Sequence, residues 1–114
     1  LVQKFASEGF RVAAVARDHE KLETLLGERG LAEKERAYSC DVSDPKAVAT
    51  LFASVEADLG TPSLVVFNAG AFIIGSITDL DPDDVARCWR IGCFGGFLSR
   101  RKKQRKLSKK LRSQ

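Results

Sequence analysis

Three short apolar runs alternate with segments of helical periodicity, and this alternation most constrains what the chain can fold into. The runs are "RVAAVA" (residues 11–16), "RAYSCDV" (36–42) and "SLVVF" (63–67). Each has the length and β-branched content of a buried strand. Before the first run, Leu1, Val2, Phe5 and Ala6 form a helical stripe that Gly9 stops. Asp18 can cap the next helix, with Glu20 favourable in its first turn and Leu22, Leu25 and Leu26 on its inner face. Asp44-Pro45 opens a third helix, a capping carboxylate followed by a residue pre-set for the first helical position. Val48, Leu51, Phe52, Val55 and Leu59 line its apolar face, and Gly60 ends it. Asp81-Pro82 repeats the device, and Val85, Cys88 and Trp89 begin another inner face. Strands alternating with helices of this length predict parallel βαβ units, with right-handed crossovers placing helices on both sides of the sheet. The expected class is α/β, with three parallel strands.

The 114 residues suffice for one small domain, which buries roughly two-thirds of its unfolded surface. The net charge of +4 hides a split. Residues 1–98 carry ten Lys/Arg and fifteen Asp/Glu, a net −5, whereas residues 99–114 carry nine Lys/Arg and no acid. Three cysteines and one histidine, without a Cys-x-x-Cys pair, provide neither an even disulfide framework nor a structural zinc set. Reduced, partly buried cysteines of a cytoplasmic protein are the expectation. Lys4 and Glu8 interrupt the first ten residues, which are no signal-peptide core. The longest apolar region, residues 64–74, is broken by Asn68 and Gly70 and is too short to span a bilayer.

Ligands of open α/β sheets bind beyond the carboxyl ends of the strands. Arg17 follows the first run, Asp41 and Val42 close the second, and Asn68, Ala69 and Gly70 follow the third. A guanidinium suits a phosphate, a carboxylate an exocyclic amine, and small residues let a ligand approach the backbone. Singly, each has an ordinary reading: Arg17 as a solvated charge, Asp41 as a turn former, Asn-Ala-Gly as a strand-ending turn. Their occurrence at three successive strand ends is the informative part, and it suits a nucleotide.

The pieces "FASEGFRVAAVARDHEKL", "CDVSD", "LGTPSLVVFNAG" and "CWRIGCFGGF" resemble the short-chain dehydrogenase/reductase family in content and in spacing, with Asn68 lying 27 residues after Asp41. The resemblance covers about residues 1–98. It implies a doubly wound Rossmann fold and hydride transfer between NAD(P) and a small-molecule alcohol or carbonyl. It also implies roles: Asp41 at the adenine amino group, Val42 at its ring through the backbone, and Asn68, Ala69 and Gly70 beside the ribose. Arg17 stands where NADP-preferring members carry a base for the 2′-phosphate, so NADP is favoured over NAD, although Asp18 beside it works against that preference.

The resemblance also implies that the chain is an incomplete fragment. The family's Gly-x-x-x-Gly-x-Gly turn and first strand have no counterpart here, which leaves a gap between the first and third runs and open strand edges beside it. No Tyr-x-x-x-Lys pair is present; the only tyrosine, Tyr38, lies on the second run. Aligning "GCFGGF" on the family's catalytic asparagine motif places Gly92 at that asparagine. No catalytic residue is therefore assigned, and the chain alone is expected to be inactive. Family members are usually homo-oligomers, through the helix that here spans residues 82–97. The basic tail reads in three ways: a non-specific nucleic-acid or nuclear-targeting tail, a weak membrane-surface helix with Leu107 and Leu111, or an out-of-frame end. The last is favoured, with the tail disordered or extending the preceding helix. The runner-up function is a non-enzymatic interaction protein whose tail binds a polyanion. No specific nucleic-acid or membrane partner is expected.

Overall fold

The computed structural model describes residues 2–28 and 35–112. In chain order the elements are α1 (Val2–Ser7), β1 (Val12–Ala16), α2 (His19–Glu28), β2 (Glu35–Ser39), α3 (Pro45–Leu59), α4 (Pro82–Trp89), a π-helical turn (Arg90–Phe94) and α5 (Gly95–Arg112). The helix boundaries follow their caps. Asp44 accepts the Lys46 amide at 3.0 Å and Asp81 accepts that of Asp83 at 2.8 Å, each followed by proline at the first helical position. Asp18 accepts the Lys21 amide at 3.0 Å ahead of α2. Gly60 ends α3 at φ 92°, a left-handed conformation that side chains disfavour, and donates its N–H to the Glu56 carbonyl.

β1 and β2 pair in parallel, with Val12 opposite Glu35 and Ala16 opposite Ser39. The ladder ends where the Cys40 amide reaches the Ala16 carbonyl and Asp41 turns the chain. β2 therefore stops before the expected residues 40–42. The third predicted strand, residues 63–67, has no ladder. Exposure along residues 64–68 still alternates strictly, with Val65 and Phe67 half-buried and Leu64, Val66 and Asn68 exposed. That is the period of a strand. Among the described residues the segment has no strand neighbour, and a cleft of about 740 Å³ lies between it and the edge of β1. The radius of gyration, 16.1 Å, exceeds the roughly 13 Å of a compact domain of about this size.

The core gathers on α3. Cys40, Val48, Phe52 and Leu98 form the buried cluster, with Ala47, Leu51, Val65 and Phe94 packed against it. The stripe read from the sequence supplies Val48, Phe52 and Val55 as buried residues, and Leu51 and Leu59 as half-buried ones. Leu22 is half-buried; Leu1 and the side chains of Val2, Leu25 and Leu26 lie outside what is described. The inner face expected on α4 is only partly covered by other described residues, with Cys88 half-buried. Val85 is exposed and Trp89 is 56% exposed, stacked only on Phe94 at 5.7 Å.

Residues 99–112 continue the preceding helix. Helix α5 crosses residue 98 without a break, and Lys, Arg, Gln and Leu all favour helix. It is held to the body by the Lys106–Glu56 ion pair and by a bond from Lys103 to the Ser63 carbonyl at 3.2 Å. The side chains of Leu107 and Leu111 lie outside what is described. Among the described residues no helix is long and apolar enough to cross a membrane.

Candidate nucleotide site at the strand ends

Parallel pairing brings the residues after β1 and β2 to the same rim. Arg17 and Asp41 are both exposed there. The Arg17 carbonyl accepts the Ser39 hydroxyl at 3.0 Å, which ties the two strand ends together. Asp41 is held in an Asx turn. Its Oδ1 accepts the Ser43 amide at 3.0 Å and the Ser43 hydroxyl at 2.7 Å. Those two bonds, more than the nearby Arg17 charge, hold its carboxyl below the usual aspartate range. The adjacent Cys40 thiol is pushed the other way, by burial and then by the charges of Asp41 and Asp44.

Val42 sits at the junction of this rim with the cleft, which Asn68 and Ala69 also line. The first turn of α5 packs tightly onto it. A Cβ at Gly95 would lie 2.9 Å from the Val42 carbonyl oxygen and 3.3 Å from Cζ of Phe67. Glycine is therefore required where the helix crosses the strand ends. Gly70 differs: its φ is not positive, and a Cβ built there would meet nothing within 4 Å. The protein itself imposes no demand for a glycine at that position.

The structure thus brings Arg17 and Asp41 together on one rim and Val42, Asn68 and Ala69 together on the cleft, with Gly70 beyond it. Sequence reading missed Ser43, which fixes the Asp41 carboxylate, and Gly95, which seats α5 on Val42. The Asp-x-Ser spacing was a signal for the first; the second depends on a contact between residues 53 positions apart. Gly92 lies in the π-helical turn, where a Cβ would meet nothing within 4 Å. Among the described residues no group of three or more His, Cys, Asp or Glu could hold a metal ion, and the three cysteines are unpaired.

Tyr38 is engaged elsewhere. Its hydroxyl donates to Asp58 Oδ2 at 2.7 Å, and burial first, then this bond, push its pKa up to about 12. Because the folded value lies above the ordinary 10.0, the phenol's contribution to stability is complete below pH 10 and is lost as the pH rises toward 12. Tyrosinate absorbance should show a single midpoint near 12 that Asp58→Asn moves back toward 10. A midpoint at 10 in the unaltered protein would contradict the bond.

The family model described as short chain dehydrogenase matches residues 1–112, and so extends through the basic helix. A short chain dehydrogenase of Pseudocercospora fijiensis is 33% identical over 92 residues, which cover 80% of this chain and 29% of that protein. Among solved structures, a short-chain dehydrogenase from Streptomyces avermitilis superposes with a TM-score of 0.84 at 22% identity, covering 96% of this chain and 40% of that one. A variant of ElxO solved with NADPH bound superposes with a TM-score of 0.86 at 19% identity, covering 95% and 44%. The chain therefore spans less than half the length of each of these proteins.

Proposed function

The chain belongs to the short-chain dehydrogenase family, and from that premise we propose that it carries the adenosine half of an NADP site for oxidoreduction between an alcohol and a carbonyl. The observation that carries this reading is the shared rim of Arg17 and Asp41 beside the cleft lined by Val42, Asn68 and Ala69. The residues fit the group. Asp41 has committed Oδ1 to Ser43, so its Oδ2 would accept the adenine amine. The exposed Arg17 would hold the 2′-phosphate that distinguishes NADP from NAD. The open space at Gly70, which no protein atom needs, would admit the ribose. The ElxO variant with NADPH supports the choice of nucleotide by fold likeness.

When bound, the nicotinamide supplies or accepts the hydride; this chain's residues would bind and orient the adenosine end. Neither Tyr38, whose hydroxyl is bonded to Asp58, nor Gly92, which offers no side chain, is proposed to transfer a proton. General acid–base catalysis is worth about 10²–10⁴-fold. The 114-residue polypeptide alone is proposed to be inactive, and turnover of NADPH with a carbonyl above a protein-free blank would overturn that. The exposed apolar Val85, Trp89 and Phe97 would serve a homo-oligomer, and the free cysteines fit the cytoplasm.

The test is nucleotide preference by calorimetry. The protein should bind NADPH more tightly than NADH, and Arg17→Ala should erase the difference, a loss of about tenfold for one charge-assisted contact. Equal affinities before the substitution would remove the NADP assignment.

A further inference from the structure

We propose that the seam between α3 and α5 binds a small phosphate monoester, with the phosphate on Arg101, Lys102 and Arg105 and the organic group on Pro45, Val48 and Leu98. These residues line a cavity of about 150 Å³ that shares no lining residue with the cleft beside β1. The cations of α5 divide into two sets. Lys103 and Lys106 are engaged with the body, at the Ser63 carbonyl and the Glu56 carboxylate. Arg101, Lys102 and Arg105 have no hydrogen-bond or ion-pair partner among the described residues. No acid lines the cavity, and Asp44, beside Pro45 in the chain, is turned to the Lys46 amide. Three cations thus converge on one cavity without a protein anion to neutralise them.

Exposure orders the cavity from floor to mouth. Val48 and Leu98 are buried, Lys102 is half-buried, and Arg101 and Arg105 are exposed. The floor is therefore apolar and the mouth cationic. Arg101 and Arg105 lie four residues apart, on one face of the helix, where like charges repel and an anion between them relieves the repulsion. Two guanidinium forks and an ammonium match a phosphate monoester, which carries nearly two negative charges and three acceptor oxygens at neutral pH. A carboxylate, with one charge and two oxygens, would leave a cation unpaired. Inorganic phosphate gains nothing from Val48 and Leu98, whereas an apolar substituent gains from leaving water there. An apolar cavity of about this volume takes a benzene ring, so the substituent is no larger than one ring. The site does not depend on the nucleotide reading, because neither Arg17 nor Asp41 lines it.

The probe is phenyl phosphate, titrated into the 114-residue protein beside inorganic phosphate. Binding should be saturable, with phenyl phosphate at least about threefold the tighter of the two. Arg101→Ala and Arg105→Ala should each weaken it about tenfold, the loss of one charge-assisted contact. Both side chains are exposed, so the denaturant midpoints of these variants should stay unchanged. Arg101→Lys keeps the charge without the fork and should recover only part of the affinity. Arg100→Ala removes an exposed arginine that does not line the cavity and should leave the affinity as it was. A loss in Arg100→Ala as large as in Arg101→Ala would assign the binding to the whole basic face of α5 and overturn the proposal. Equal affinity for the two anions would also overturn it, as would the absence of saturable binding or a loss in Arg17→Ala alone. Phenyl phosphate carries no adenosine and 2′,5′-ADP is read separately, so either idea can fail without the other.

Discussion

Phe52→Ala should lower the unfolding free energy by about 3 kcal/mol, the lower end of the range for deleting a buried phenyl ring. The ring contributes to the cluster of Cys40, Val48 and Leu98, and one side of it borders the cleft. The cleft side makes fewer contacts to lose, which sets the magnitude at the low end. Small domains hold only about 5–15 kcal/mol in total. The variant should therefore be largely unfolded at modest urea, with its midpoint reduced by half or more. A change below about 1 kcal/mol would mean that the core is not organised on α3.

Gly95→Ala and Gly96→Ala should move stability in opposite directions, although the residues are neighbours in one helix. Replacing glycine by alanine inside a helix gains about 1 kcal/mol in intrinsic propensity. At Gly96 the new methyl would lie 3.5 Å from Phe67, an ordinary contact, so the gain survives. At Gly95 it would lie 2.9 Å from the Val42 carbonyl oxygen, and backbone must shift. Overpacking of that kind costs about 1–3 kcal/mol, so the net effect is a loss, and Gly95→Val is worse. Denaturant midpoints of the two alanine variants decide the matter. Stabilisation at both positions would show that α5 does not rest on the strand end.

What the sequence made legible was local. Asp44-Pro45 and Asp81-Pro82 mark helix starts through the side chain's reach to an amide two residues on, and Gly60 marks a stop through its φ. The stripe on α3 is legible because one helix face meets one core. The third strand was read from its apolar run; its exposure keeps the period of a strand, but among the described residues it has no ladder, since pairing is a property of the neighbour and not of the residues 63–67 themselves. The same holds for α4, whose Val85 and Trp89 have the pattern of an inner face but no described element against them. The basic segment was read by charge, which says little about conformation; Lys106–Glu56 joins residues 50 positions apart and helps to keep it helical against α3. At the site, Arg17, Asp41 and Asn68 were legible as strand-end residues. The bonds that set the Asp41 carboxylate, and the crossing of Gly95 over Val42, become visible only once the elements are packed.

The central claim is that the rim of Arg17 and Asp41, with Val42, Asn68 and Ala69, is the adenosine half of a nucleotide site. Chemical-shift mapping of the 114-residue protein with 2′,5′-ADP tests it at the level of residues. The account predicts saturable shifts on the amides of Arg17, Asp41, Val42, Asn68, Ala69 and Gly70, lost in Asp41→Ala. No saturable shift would contradict it, and so would shifts confined to Arg100, Arg101 and Arg105 on the basic helix.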